Sequence, residues 1–293
     1  MRYLDFPGSE LNSIFYLRGL DDAEAIKKDL ETSDNLVIIG AGYIGLEAAA
    51  VAAKKNKTVT VIEMADRVMN RTVDPQISEY YLNLHQSYGV KFHFNTSLEI
   101  INKSSDSLEV VCSDGTEVKA DSVLIGAGVI PNIELAEDAG IHCDNGIIVD
   151  EFGRTNFKNV YACGDCTNHP NKILNKNLRL ESVHNAMEQA KTVASSVLNN
   201  PMEYSQVPWF WSDQYDHKLQ IVGLSDDHDL VTMRGTINDA KFMLFYTKDE
   251  ELIAVDAINN PKEFLISRKL VANKVKIKPD VICDLNTNLN DLI

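Results

Sequence analysis

Three glycines and one glutamate have the types and the spacing of a dinucleotide-binding turn. Gly40, Gly42 and Gly45 form the pattern G-x-G-x-x-G directly after the apolar run Leu36–Ile39. In such a turn the first glycine allows the tight bend, the second lets a pyrophosphate approach the backbone, and the third lets helix and strand pack closely. Glu63 ends the next apolar run, 18 positions after Gly45. An acidic residue there accepts ribose hydroxyls and repels a 2′-phosphate, so the pattern predicts NADH binding.

The pattern also predicts the elements that hold this turn: a strand at Leu36–Ile39, a helix at Tyr43–Lys55 and a second strand at Thr58–Ile62. The helix would present its free N–H groups and its positive end to the pyrophosphate. A purely structural glycine turn is the alternative, and Arg67 would be the ligand of a 2′-phosphate if the site took NADPH. The residues predicted to bind NADH are Gly40, Ala41, Gly42, Tyr43, Ile44, Gly45 and Glu63, with Gly128 in the turn after the strand-like run Asp121–Ile125.

The composition excludes several classes of protein. The chain has 293 residues, 44% of them hydrophobic, enough for one large core or two to three smaller ones. No apolar run approaches the length of a membrane span, and the N-terminus does not look like a signal peptide. Five cysteines, an odd number, suit a reducing compartment, so we expect a cytoplasmic protein. The formal charge of −15 argues against nucleic acid as a partner.

Positive charge is nevertheless concentrated near the C-terminus. Only Glu263 and Asp280 interrupt this basic cluster, which consists of Lys262, Arg268, Lys269, Lys274, Lys276 and Lys278. A solvated lysine surface is one interpretation, and a docking face for an acidic protein is the other.

A second informative stretch is Thr155–Asp165, with the sequence TNFKNVYACGD. We predict that Val160–Cys163 is a buried strand and that Gly164 turns sharply, leaving Asp165 at the carboxyl end, where open α/β sheets bind ligands. A long helix is predicted at Leu180–Leu198. The sequence beyond Pro208 is aromatic and rich in strand formers, and Leu285–Leu292 is expected to be loosely held.

Three separate stretches resemble one family. They are GAGYIGLEAA at 40–49, NVYACGDC at 159–166 and VPWFWSDQYD at 207–216. Together they resemble the FAD-dependent NADH:ferredoxin reductases, the putidaredoxin and rubredoxin reductase-like branch of the pyridine nucleotide-disulfide oxidoreductase superfamily. The resemblance implies an α/β fold of the glutathione reductase-like, FAD/NAD(P)-binding type: a Rossmann-like NAD domain, a partial FAD domain and a C-terminal α+β domain.

The resemblance also implies domain boundaries. The family's first FAD-binding segment, with its own glycine-rich loop, has no counterpart in this sequence. We therefore expect a remnant of that segment at 1–8, the NAD-binding domain at 9–129, the second FAD-binding segment at 130–206 and the C-terminal reductase or interface domain at 207–293.

The activity implied by the resemblance is that of an NADH-dependent ferredoxin reductase. Electrons would pass from NADH through FAD to a [2Fe–2S] ferredoxin or a rubredoxin that serves an oxygenase. The alternatives are a truncated, flavin-free NADH-binding remnant and another NADH-oxidising flavoprotein, such as an NADH oxidase or a disulfide reductase relative.

The family's motifs assign roles to further residues. Glu47 would lie near the nicotinamide amide, although a carboxylate on a helix face is the simpler interpretation. Asp165, turned by Gly164, would accept a hydrogen bond from the flavin ribityl chain, and an ordinary turn aspartate is its alternative. Backbone N–H groups near Ser182 and Val183 would face the flavin N1–C2 edge.

Two tryptophans and two cysteines complete the candidates. Trp209 and Trp211 are the only tryptophans and would share one side of a strand. The resemblance implies that Trp209 binds the flavin and that Trp211 is catalytic beside it, and the alternative is that both simply lie in the core. Cys163 and Cys166 form a C-x-x-C pattern that invites a redox-disulfide interpretation. We favour a structural one, because Cys163 would lie in a buried strand, where thiols are inert. The sequence has no spacing typical of a metal site.

Overall fold

A computed structural model describes the whole chain, residues 1–293. The chain divides into two compact units. The N-terminal unit comprises Met1–Ile130 together with the short segment Asp213–Asp216, and the C-terminal unit comprises Pro131–Ser212 together with His217–Ile293.

The N-terminal unit contains eight strands and three helices. In chain order they are β1 (Ile14–Tyr16), α1 (Leu20–Asp29), β2 (Asn35–Ile39), α2 (Tyr43–Lys54), β3 (Thr58–Ile62), α3 (Pro75–Ser87), β4 (Lys91–His93), β5 (Leu98–Ser104), β6 (Ser107–Cys112), β7 (Glu117–Ala120) and β8 (Ser122–Ile125). The predicted strand at Thr58–Ile62 is confirmed, and the helix predicted at Tyr43–Lys55 ends one residue earlier.

Five of these strands form a parallel sheet in the order β1-β8-β2-β3-β4. The central strand β2 is apolar and buried from Leu36 onward, as expected for a strand covered on both faces. Helix α2 packs against β2 and β3. The antiparallel sheet β5-β6-β7 contributes Ile101, Leu108 and Val110 to a core shared with Val37 and other residues of the parallel sheet.

The C-terminal unit contains the remaining elements. They are α4 (Glu134–Asp138), β9 (Ile147–Ile148), β10 (Thr167–Asn171), β11 (Lys176–Leu178), α5 (Val183–Val197), β12 (Trp209–Gln214, of which Asp213 and Gln214 group with the N-terminal unit), β13 (His217–Gly223), β14 (Leu230–Thr236), β15 (Lys241–Lys248), β16 (Glu251–Ile258), α6 (Pro261–Ala272), α7 (Pro279–Cys283) and a 3₁₀ turn at Leu289–Leu292. Helix α5 is the longest, with 15 residues, and no helix is both long and apolar enough to cross a membrane.

An antiparallel sheet with the order β12-β13-β16-β15-β14 forms the body of the C-terminal domain. Strands β15 and β16 are buried over most of their length, and helix α6 packs against β13 and β16. Phe245 and Phe264 lie fully buried between this sheet and the helix, and Ile282 from α7 and Leu289 from the 3₁₀ turn join the same core.

The buried strand predicted at Val160–Cys163 is wrong. Val160 is 38% exposed, and the only strand-like pairing in this stretch is a single bridge between Arg154 and Tyr161. The backbone of Ala162 donates to the carbonyl of Gly153, so the stretch folds back on its own preceding turn. An apolar run becomes a sheet strand only where a neighbouring strand completes its hydrogen bonds, and this run has none in the chain.

The loose C-terminal segment predicted at Leu285–Leu292 is also wrong. Arg234 of β14 is buried and donates to the carbonyls of Ile282, Asp284 and Thr287 at 2.7–3.0 Å. The same guanidinium contacts the Glu263 carboxylate at 2.7 Å. Burial alone would raise the pKa of Glu263, but its hydrogen bonds, above all from Arg234, hold it below its ordinary value. One buried cation therefore fixes the end of the chain, a contact that polarity along the sequence does not reveal.

A fully buried histidine lies in the N-terminal unit. The Nε2 atom of His85, on α3, is 2.8 Å from Oε1 of Gln214, and its Nδ1 atom is 3.1 Å from the hydroxyl of Tyr215. Tyr215 stacks in turn on Tyr88, with ring centroids 3.8 Å apart. With Nε2 donating and Nδ1 accepting, the ring is neutral, and burial lowers the pKa of His85 to about 4.

Protonation of His85 should therefore cost stability as the pH falls. Because the folded-state pKa is about 4 against an ordinary 6.5, the unfolded chain takes up the proton first, and the free energy of unfolding decreases as the pH drops through this range. The lowered pKa of His85 corresponds to a decrease of roughly 2 kcal/mol in the free energy of unfolding between pH 7 and pH 5. Urea unfolding at the two pH values should show a loss in the wild-type chain that exceeds the loss in His85→Gln by about this amount.

The exposed His228 supplies the matched control, because His228→Gln makes the same chemical change outside any core. Its loss between pH 7 and pH 5 should equal that of the wild type. Equal losses in all three proteins would contradict the role given to His85.

Candidate functional site

The three glycines of the turn after β2 have different surroundings: two pack against backbone atoms, and one borders open space. A Cβ atom on Gly45 would lie 2.1 Å from the carbonyl oxygen of Gly40, and one on Gly40 would lie 2.6 Å from that of Gly126. Gly40 also has a φ of +102°, which disfavours any side chain. A Cβ on Gly42, in contrast, would meet no atom within 4 Å. Gly40 and Gly45 therefore allow the backbones to pack, whereas Gly42 borders open space.

The open space at Gly42 lies at the start of a helix. Gly42 is the N-cap of α2, and no side chain caps the first turn. The first N–H groups of this helix consequently keep their hydrogen-bonding capacity for a ligand, and the helix dipole favours an anion. Backbone donors beside a cradle that a Cβ would fill match the pyrophosphate of a dinucleotide.

Glu63 is held directly beside the glycine turn. Its Oε2 atom accepts a 2.6 Å hydrogen bond from the backbone of Ala41, and its Oε1 atom accepts one of 2.8 Å from the backbone of Ala65. The backbone N–H of Glu63 donates to the carbonyl of His93 on the neighbouring strand β4. Each carboxylate oxygen retains a further lone pair, so Glu63 can still accept from ribose hydroxyls.

Arg67 has a structural role that its position in the sequence does not show. Its guanidinium donates to the carbonyls of Val73 at 2.9 Å and Asn70 at 2.8 Å. These contacts close the loop between β3 and α3. The hypothesis that Arg67 binds a 2′-phosphate is weakened, since its donors already hold this loop.

The other predicted NADH residues lie around the same edge. Tyr43, Ile44 and Glu47 are on the first two turns of α2, with Ile44 exposed and Glu47 half-buried. Gly128 follows β8, whose carboxyl end lies next to that of β2, and the carbonyl of Gly128 accepts from the backbone of Arg2. The roles of these residues stay predictions. The parallel sheet, the open glycine turn and the carboxylate at the end of β3 define a dinucleotide-binding α/β protein.

A second group of predicted residues comes together in the C-terminal unit. Gly164, with a φ of +86°, turns the chain and donates its N–H to Oε1 of Gln189 on α5 at 2.7 Å. Asp165 is exposed next to it. Ser182 caps the same helix by accepting from the backbone of Asn185. The Gly164–Asp165 turn and the start of α5 at Val183 are thus parts of one site.

The two tryptophans extend this group. Trp209 and Trp211 lie on β12 with ring centroids 5.5 Å apart, and Trp209 lies 5.5 Å from His184 in the first turn of α5. Trp211 is 39% exposed. The guanidinium of Arg268 covers the Trp209 ring at 4.6 Å. The sequence pattern gave no role to His184 or Gln189 and predicted Arg268 only as a member of the basic cluster, although His184 follows Ser182 and Val183 directly in the sequence.

Two polar atoms in this group lack protein partners. Trp209 Nε1 and His184 Nδ1 are both buried and make no hydrogen bond. Buried polar atoms are normally paired, so two such atoms beside a helix start suit a ligand rich in oxygen and nitrogen acceptors. The ring edge of a flavin has this chemistry, and the residues present therefore fit the FAD that the sequence resemblance implies.

The cysteines do not form a reactive pair. All five are free, and the Sγ atom of Cys166 contacts the carbonyl oxygen of Cys163 at 3.7 Å. Burial raises the pKa of the Cys166 thiol, which is the opposite of what a nucleophilic cysteine needs. Cys163 is only half-buried and lies outside any strand, so the predicted reason for its inertness is wrong. No group of three or more His, Cys, Asp or Glu side chains is arranged to hold a metal ion.

Comparison with known proteins agrees with these two groups of residues. Residues 1–190 match the model of the pyridine nucleotide-disulphide oxidoreductases, and residues 209–293 match the reductase C-terminal model. The chain is 39% identical over 285 residues to putidaredoxin reductase of Pseudomonas putida, covering 96% of this chain and 68% of that protein. Rhodocoxin reductase of Rhodococcus erythropolis is 38% identical over 289 residues, covering 98% of this chain and 68% of that protein.

A solved structure gives the same result. The ferredoxin reductase for the CYP199A2 system from Rhodopseudomonas palustris matches with a TM-score of 0.96 at 38% identity, over 99% of this chain and 72% of that chain. The chain therefore belongs to the pyridine nucleotide-disulphide oxidoreductase family. The resemblance drawn from the sequence and the α/β fold class with its C-terminal α+β domain are confirmed.

The contrast between the glycines predicts two different defects. Gly42→Ala should leave the fold intact, because its Cβ enters open space at a φ of −78°, but it should weaken NADH binding about tenfold or more by blocking the pyrophosphate. Gly45→Ala should instead lower the free energy of unfolding by roughly 2 kcal/mol or more, because its Cβ meets the Gly40 carbonyl.

Fluorescence titration with NADH and thermal unfolding separate the two effects. Wild-type NADH affinity in Gly42→Ala would show that the open space at this glycine is not the pyrophosphate site.

Proposed function

We propose that this chain is an NADH-dependent, FAD-containing reductase that passes electrons to a small iron–sulfur protein serving an oxygenase. The observation that carries this proposal is the presence of two separate nucleotide-type groups in one chain. One is the open glycine turn with Glu63, and the other is the Gly164–Asp165 turn joined to the start of α5. Relatives with matching sequence are named as reductases of putidaredoxin, of rhodocoxin and of a ferredoxin.

In the N-terminal unit the proposed ligand is NADH. The backbone donors after Gly42 would bind its pyrophosphate, and Glu63 would accept its ribose hydroxyls. A 2′-phosphate would meet the carboxylate of Glu63 instead, which favours NADH over NADPH. Glu47, one helical turn further along α2, would lie toward the nicotinamide end.

In the C-terminal unit the proposed ligand is FAD. When bound, FAD supplies the acceptor for the nicotinamide hydride and releases single electrons. The chain's own residues bind and orient it: Asp165 would accept a hydrogen bond from a ribityl hydroxyl, and the N–H groups near Ser182 and Val183 would stabilise negative charge on the ring edge. Trp209 and Trp211 would border the ring and limit its access to water.

The proposed partner is an acidic ferredoxin or a rubredoxin. Putidaredoxin reductase and rhodocoxin reductase are named for the carriers they reduce, and a carrier of that class is proposed here. In the basic cluster all five lysines are exposed, whereas Arg268 is half-buried over Trp209 and Lys274 pairs with Glu251. Exposed lysines in this number would attract an acidic carrier despite the formal charge of −15.

The domain organisation and the compartment belong to the same proposal. The boundaries 1–8, 9–129, 130–206 and 207–293 are supported by the division of the chain at Ile130 and by the start of the reductase C-terminal match at residue 209. A cytoplasmic location is supported by five free cysteines.

One experiment separates the reductase from a flavin-free NADH-binding remnant. The purified chain is incubated with FAD and desalted, and we expect a retained flavin absorbance of about one per chain. Anaerobic NADH should then bleach this band, and a [2Fe–2S] ferredoxin should be reduced in proportion to the NADH consumed. The wild-type chain without added NADH is the control for the second step.

Other results would favour the alternatives. A colourless chain that still binds NADH would support the remnant. A flavin that is reduced by NADH and reoxidised rapidly by oxygen, with no effect of a ferredoxin or a rubredoxin, would support an NADH oxidase.

A further inference from the structure

A buried polar network lies beneath the Gly164–Asp165 turn. At its centre is Gln189 on α5, which is only 5% exposed. Its Oε1 atom accepts the N–H of Gly164 at 2.7 Å, and the hydroxyl of Thr167 lies 2.7 Å from the same oxygen. Its Nε2 atom lies 2.7 Å from Nδ1 of His169 on β10.

The hydrogen-bond donors fix the orientation of this amide. A backbone N–H can only donate, so the atom facing Gly164 is the Gln189 oxygen. The amide nitrogen must then face His169, whose Nδ1 accepts. His169 is buried, burial lowers its pKa to about 4, and the ring is neutral with its proton on Nε2. The orientation of the Gln189 amide is therefore fixed, while the hydroxyl of Thr167 can donate to Gln189 Oε1 or, at 2.8 Å, to the carbonyl of Gly164.

The same network reaches the start of α5. Asn185 is fully buried, and its Oδ1 atom accepts from the hydroxyl of Tyr204 at 2.9 Å and from Nε2 of Gln189 at 3.2 Å. Its side-chain nitrogen donates to the carbonyl of Leu180, and its backbone N–H donates to Oγ of Ser182. The first turn of the helix and the Gly164–Asp165 turn are thus joined through Gln189 and Asn185.

We propose that Gln189 is a positioning residue: it locks the Gly164–Asp165 turn against the first turn of α5, so that both elements face one ligand in a fixed geometry. The inference rests on the proposed function in one respect, since that ligand is taken to be FAD. Gly164 needs such a lock because a glycine at a φ of +86° has no side chain to hold its turn. This contact needs a side-chain oxygen that accepts from Gly164 and a side-chain N–H that donates to His169, and glutamine has both groups.

The test compares three variants of the full chain. Gln189→Met keeps the volume and removes all four side-chain hydrogen bonds, to Gly164, Thr167, His169 and Asn185. Gln189→Glu keeps an acceptor facing Gly164, and the neutral His169 ring can donate to its second oxygen once its proton lies on Nδ1 instead of Nε2. Thr192→Val is the matched control, because Thr192 lies on the same helix with a similar exposure of 6% and is not part of the network.

Amide hydrogen exchange of Gly164, followed by NMR in the flavin-free chain, measures the lock without any ligand. We expect exchange in Gln189→Met to be about tenfold faster or more, and exchange in Gln189→Glu and Thr192→Val to stay within about threefold of wild type. The dissociation constant of FAD, measured by quenching of its fluorescence, should follow the same order. Rescue by glutamate is the result that a mere packing role would not produce.

Each other outcome counts against the proposal. Unchanged exchange of Gly164 in Gln189→Met would overturn it. Faster exchange with an unchanged dissociation constant of FAD would overturn the positioning role. Failure of the wild-type chain to retain FAD would instead refute the proposed function, and the exchange rates would still decide whether Gln189 fixes the turn.

Discussion

The close approach of α2 to the end of β2 is the constraint on which the N-terminal unit depends. With the Gly45 backbone against the Gly40 carbonyl and the Gly40 backbone against that of Gly126, three chain segments meet with no room for side chains. This contact brings the uncapped start of the helix to the edge where β2, β3 and β8 end. The same edge carries Glu63, whose carboxylate accepts from the backbone of Ala41 within the glycine turn.

The C-terminal unit also places a glycine turn beside the start of a helix, but different contacts hold the two together. There too a glycine of positive φ, Gly164, lies beside the start of a helix. The two are held together by side chains, Gln189 and Asn185, rather than by direct packing of backbones. A turn held by buried amides depends on the pairing of those amides, because an unpaired buried polar group is costly. Two of the buried polar residues along α5, Asn185 and Gln189, serve this purpose.

Buried neutral histidines occur in both units and have the same physical cause. His85 and His169 each have a pKa lowered to about 4, chiefly by burial, and each is held by a side-chain amide, Gln214 or Gln189. Their rings serve as rigid polar parts of a core. Their sequence positions give no sign of this, since a histidine at such a spacing on a helix or strand is equally compatible with an exposed site.

The sequence by itself determined the dinucleotide turn, the order of most elements and the family. Glycine spacing, apolar runs and a carboxylate at the end of a strand are local features, so they can be recognised within one stretch of the chain. Only the tertiary structure showed that Val160–Cys163 is not a strand, that Arg67 holds a loop and that Arg234 holds the C-terminal segment. Each depends on a partner that is absent from its own stretch of sequence: a strand needs a neighbour, and a guanidinium needs carbonyls. The division between packing and open glycines was likewise settled by which backbone lies opposite each one.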